Sequence, residues 1–128
     1  MGEVLERPGR RAEVKVSRDE LVVFEFEMAP ETDGTGPHFH KQHVDSFYVL
    51  EGELEITVAG EIVHVRAGDL VHAPPGVVHS FRNASSERAH FLNVHAPGMR
   101  FDEYMRAWTR ATNPTALSTT NSLPKRAG

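Results

Sequence analysis

From residue 22 onward, apolar and polar positions alternate along the chain. Val22, Phe24, Phe26 and Met28 are separated by Val23, Glu25 and Glu27, the period-two pattern of a half-buried strand. The same reading predicts strands at 45–50, 53–58, 62–66, 70–73, 77–83 and 90–95. Turn-forming groups separate them: Glu51-Gly52, Ala59-Gly60, Ala67-Gly68-Asp69, Pro74-Pro75-Gly76 and Asn83-Ala84-Ser85-Ser86. Residues 29–37 carry two prolines and two glycines and predict a loop. Short strands punctuated this regularly predict an all-β antiparallel sandwich or barrel. After Pro97-Gly98 the period changes. Phe101, Tyr104, Met105 and Trp108 fall at i, i+3, i+4 and i+7, the stripe of a short amphipathic C-terminal helix that packs outside the barrel or on a second subunit. The expected organisation is an arm at 1–11, a barrel at 12–98, a helix at 99–111 and a polar tail at 112–128.

Composition narrows the function. A chain of 128 residues and 14.3 kDa suits one domain with a single core, burying roughly two-thirds of its unfolded surface. It has no cysteine, so disulfides, thiolate ligands and cysteine nucleophiles are excluded and any metal must be held by nitrogen and oxygen. A net charge of -4 and a pI near 6.0 argue against a nucleic-acid surface. Basic residues gather only in short groups, at Arg7, Arg10 and Arg11 and at Lys125 and Arg126. No apolar run has the length of a membrane span and the first residues lack a signal-peptide core, so a soluble cytoplasmic protein is expected.

The candidate chemistry lies in histidines. In an extended segment residues i and i+2 point the same way, so His38 and His40 present two imidazoles to one point. Asp45 opens a face that continues with Phe47 and Val49, and a carboxylate on an inward face needs a partner because an unpaired buried charge is costly. His79 shares a face with Phe81 after the Pro-Pro-Gly turn. Three imidazoles and a carboxylate converging inside a barrel make a site for a divalent metal such as iron, manganese, nickel or zinc.

The segments HFHKQHVDSFYVLEG and GDLVHAPPGVVHSFRN together resemble the two barrel motifs of the cupin superfamily, over about residues 22–97. The second agrees at Gly68, Pro74, Gly76, His79 and Asn83, and the fifteen residues between Gly52 and Gly68 suit small single-domain members. The resemblance implies an antiparallel double-stranded β-helix, or jelly roll, with metal ligands His38, His40, Asp45 and His79. Two positions depart from the pattern: Thr32 stands where glycine is usual, with Gly34 and Gly36 nearby, and Asp45 stands where glutamate is usual. Aspartate is shorter by one methylene, roughly 1.5 Å of reach. Asp45 therefore either ligates or stands behind three histidines, with His43 as a further candidate.

The resemblance also turns Phe91, Asn93 and His95 inward, so that Phe47, Phe81 and Phe91 wall a small-molecule site with Asn93 and His95 near its mouth. The opposite parity, with His90, Leu92 and Val94 inside, stays open, and the phenylalanines equally suit plain core. His64 and His72 read as outer-face residues. The implied function is a metal-dependent enzyme acting on a small organic molecule, first of all an oxygenase resembling the quercetin-dioxygenase-like members, with iron or manganese and with His95 or Glu25 moving a proton. Isomerase and decarboxylase chemistry occur on the same barrel. The alternative is a non-catalytic small-ligand-binding or sensor barrel. A homodimer is expected because Tyr48 and Leu50 fall on the outer face when Asp45 faces in.

Overall fold

A computed structural model describes residues 2–98. The predicted helix at 99–111 and tail at 112–128 lie outside the described residues. Among these, all regular structure is strand: β1 (Val4–Arg7), β2 (Arg10–Ser17), β3 (Val22–Met28), β4 (Thr32–Asp33), β5 (Val44–Glu51), β6 (Glu53–Val58), β7 (Glu61–Arg66), β8 (Leu70–Ala73), β9 (His79–Asn83) and β10 (Ala89–Ala96). No helix among them is long and apolar enough to cross a membrane.

Two sheets form, one ordered β1-β2-β3-β10-β5-β8 and one ordered β4-β9-β6-β7, with antiparallel pairing in both. Alternation decides which side of each strand faces in. β3 buries Val22, Phe24, Phe26 and Met28, and β10 buries Ala89, Phe91, Asn93 and His95. Leu54 and Ile56 of β6 and Phe47 and Val49 of β5 complete the interior. Phe26 stacks on Phe91 at 5.2 Å between ring centroids, and Phe81 meets Phe47 at 5.1 Å. Burying one such ring contributes on the order of 2 kcal/mol.

Three local findings refine the pattern. The N-terminal segment is a hairpin, β1 on β2, although only Leu5, Ala12 and Val14 are buried there. The loop at 29–37 contains the short strand β4, paired with β9. The strand predicted from 77 begins at His79, because the Val77 N–H closes the preceding turn on the Pro74 carbonyl at 3.2 Å. Thr32 takes ordinary strand conformation opposite Asn83, so it needs no glycine. The close approach falls instead on Gly34, where an added Cβ would come within 2.3 Å of the Phe81 ring.

The second motif ends in a structural residue. Asn83 is fully buried; its amide donates to the carbonyls of Met28, Ala29 and Glu87, while its Oδ1 accepts from Ser85 N and Ser85 Oγ. It thereby satisfies the backbone where the chain turns between β9 and β10.

Candidate metal centre

Backbone pairing across the two sheets assembles the site. His38 and His79 exchange two main-chain hydrogen bonds, 3.0 and 2.8 Å, so their side chains leave on the same face and the rings lie 4.4 Å apart. The Gly76 N–H donates to the His40 carbonyl at 2.7 Å, which fastens the Pro-Pro-Gly turn to the first motif. On the opposite sheet, Asp45 of β5 pairs directly with His95 of β10. One donor atom from each of His38, His40, Asp45 and His79 lies within 4.8 Å of the others.

Hydrogen bonds set which nitrogen each ring offers. His38 Nδ1 donates to the Gly36 carbonyl at 2.8 Å, which leaves the Nε2 lone pair for the site, the arrangement that orients metal-binding histidines. His79 Nδ1 donates to the Val77 carbonyl at 3.0 Å, and its Nε2 donates to Asp45 Oδ2 at 2.8 Å. Both His79 nitrogens thus face acceptors, which favours the imidazolium beside the carboxylate. Asp45 Oδ1 accepts from Asn93 Nδ2 at 2.6 Å, and the same amide reaches the Ser46 carbonyl at 3.0 Å.

The titration of these groups follows from burial and from one another. Burial opposes the Asp45 charge, yet His95, His40 and His79 hold its carboxyl well below the usual range. Burial likewise disfavours charge on His79, but the bond to Asp45 raises its pKa above the ordinary value. His38 is pushed down to about 4 by burial and then by the neighbouring His79. His95 is pushed down to about 3, by burial first and by His43, His40 and His38, with Asp45 opposing. At neutral pH His38 and His95 are therefore uncharged.

Three imidazole nitrogens and a carboxylate suit a divalent first-row ion. With ligand bonds near 2.1 Å, opposed donors on one ion sit about 4.2 Å apart. The four donor atoms lie within 4.8 Å of one another, close enough to converge on one ion, and the shorter Asp45 reaches the cluster.

The other predicted residues are placed as follows. β10 turns Phe91, Asn93 and His95 inward and His90, Leu92 and Val94 outward. Phe47 and Phe91 lie wholly in the apolar core, and Phe81 packs against it partly exposed. His64 and His72 are on the outside. Glu25 is corrected: it lies on the outer face of β3, paired with His90 and Lys15, and cannot move a proton inside the barrel. His43 is absent from the four-donor set but joins His40 and His95 in a second group. Sequence reasoning missed that group and missed the Asn93 clamp on Asp45, since both depend on β10 lying beside β5.

The sequence of the whole domain decides the family. A model of the cupin domain matches residues 13–95, 83 of the chain's 128 residues. The chain belongs to the cupin family. This cupin is 32% identical over 77 residues to quercetin 2,3-dioxygenase of Bacillus subtilis (strain 168), covering 60% of this chain and 22% of that protein. It is also 32% identical over 72 residues to the HTH-type transcriptional regulator PuuR of Escherichia coli (strain K12), covering 56% of this chain and 39% of that one. The matches thus span half or less of these curated relatives' lengths. Among solved structures, a conserved double-stranded β-helix protein of Klebsiella pneumoniae is 30% identical with TM-score 0.65, covering 73% of this cupin and 81% of that chain. KdgF of Halomonas sp. is 22% identical with TM-score 0.67, covering 74% and 86%, and shares the fold. The architecture is the double-stranded β-helix.

Proposed function

We propose that this cupin is a metal-dependent enzyme acting on a small organic molecule, and that oxygenase chemistry is its first reading. The observation that carries the proposal is the convergence of four donors, His38, His40, Asp45 and His79, within 4.8 Å, with His38 the half-buried member and the other three buried. The likeness to a protein named quercetin 2,3-dioxygenase supports the choice of oxygenase. A divalent ion bound there supplies Lewis-acid chemistry, or redox chemistry when it is iron or manganese.

The chain's own residues do the rest. The carbonyls of Gly36 and Val77 hold two imidazoles in the tautomers that aim Nε2 at the site. Asn93 fixes the Asp45 carboxylate, and His79 gives up its Nε2 proton when it becomes a ligand. Phe47, whose ring lies 6.5 Å from that of His79, borders the site from the apolar core. Four protein donors would leave up to two positions for a small chelating ligand on a metal that accepts six.

Oxygen consumption tests the reading: the full chain, loaded with iron or manganese, is offered quercetin, smaller phenols and diketones. We expect uptake with at least one of these and its loss in His79→Ala. No uptake by a metal-loaded parent would favour the second reading, a ligand-binding or sensor barrel, to which the likeness to a transcriptional regulator points. We further propose a homodimer through the outer face of the six-stranded sheet, where Tyr48, Leu50 and Leu70 are exposed; light scattering during gel filtration measures it.

A further inference from the structure

The interior holds more imidazoles than the four-donor set uses. Four other rings surround His40: His38 at 4.9 Å, His79 at 5.4 Å, His43 stacked at 4.1 Å and His95 at 5.4 Å between centroids. His43 and His95 are themselves 4.9 Å apart. One nitrogen from each of His40, His43 and His95 lies within 4.8 Å of the others, and all three residues are buried. Three separate stretches supply them: the segment before the bend at Lys41 and Gln42, the residue that follows it, and β10. Burying three imidazoles together costs more than burying apolar side chains of the same size.

The hydrogen bonds orient one of these rings unambiguously. The Asn93 amide nitrogen donates to Asp45 Oδ1 and to the Ser46 carbonyl, both acceptors only, so its Oδ1 must face His95. His95 Nε2 lies 2.8 Å from that oxygen and therefore carries the ring's proton. The ring's lone pair is therefore on Nδ1.

We propose that His40, His43 and His95 form a second cation position, behind the four-donor set and sharing His40 with it. It contains no carboxylate, so it selects an imidazole-preferring divalent ion of the zinc, copper or nickel class, whereas the set containing Asp45 also suits iron and manganese. Because His40 belongs to both groups, filling one position alters the other. This goes beyond the proposed function and needs no catalysis to be true.

The test uses metal-depleted full-length chain and zinc, titrated against a chromophoric chelator in the His79→Ala background, which strips a ligand from the four-donor set alone. We expect His79→Ala to keep one zinc ion and to lose at least tenfold in zinc affinity when His43→Gln or His95→Gln is added. Glutamine at 95 keeps an N–H donor for Asn93, and circular dichroism checks that each variant is folded. A change below twofold with both added substitutions would overturn the proposal. Imidazole nitrogen resonances of His79→Ala give an answer that needs no second substitution: zinc should shift His43 and His95, and shifts confined to His38 and His40 would equally overturn it. The four-donor reading fails differently, by iron or manganese content that His79→Ala leaves unchanged.

Discussion

The two halves of the barrel interior are built on the same strands and obey opposite rules. Along β10 the inward residues run Ala89, Phe91, Asn93, His95, and along β5 they run Val49, Phe47, Asp45, with Phe91 opposite Val49 and His95 opposite Asp45. β9 repeats the change from Phe81 to His79. One half is aromatic and aliphatic and holds the sheets together. The other packs five imidazoles, a carboxylate and an amide into space that apolar side chains would fill at lower cost. A chain that keeps such a half in its core gives up stability for a site.

Substitution in the apolar half should cost the most stability. Phe91→Ala should lower unfolding free energy by about 3–5 kcal/mol, read as a lowered urea midpoint with unchanged slope, and the loss should be the same with and without metal. A loss that appeared only in the metal-loaded protein would place Phe91 in the site instead. In the polar half, Asn93→Ala should leave the fold intact and weaken metal affinity by roughly 10–100-fold, the usual scale for removing a group that orients a ligand. An unchanged affinity would mean that Asp45 needs no clamp.

Acid separates the halves by a smaller increment. His38 and His95 have pKa values near 4 and 3 in the folded chain, against about 6.5 unfolded. Between those values the unfolded state binds more protons, so stability rises with pH. The metal-free protein should hold its full stability above about pH 6.5 and lose it as pH falls toward 4, by at most about 1.4 kcal/mol per pH unit for each histidine. Urea midpoints across that range measure the slope. His79, whose pKa is raised, works in the opposite direction, so the slope is also read in His79→Ala, where a flat profile would show that the two depressed histidines titrate normally.

Legibility in the sequence followed the same division. Period-two alternation marks β3, β5, β6 and β10 because each has an apolar inner face, and it fails for β1 and β2, where three buried residues are too few to stand out. The four-donor set was readable because its members sit at fixed distances from turn residues: His38 and His40 follow the glycine-rich loop, and His79 follows Pro-Pro-Gly. Asp45 for glutamate left its reach open, and the fold answers this by pairing it with His79. The group of His40, His43 and His95 was not readable, since His43 lies past a bend that resets strand parity and His95 is brought in only by β10 pairing with β5. Glu25 was assigned against the alternation of its own strand, in which Val22, Phe24, Phe26 and Met28 take the inner face.

His38, His40, Asp45 and His79 are proposed to hold one divalent metal ion. Elemental analysis by plasma mass spectrometry, on full-length protein purified without chelator or added metal and set beside His79→Ala, tests it most directly. The parent should hold about one atom of iron or manganese per chain and the variant should lose it, with both proteins folded by circular dichroism. The same metal content in the variant, or none in either protein, would contradict it.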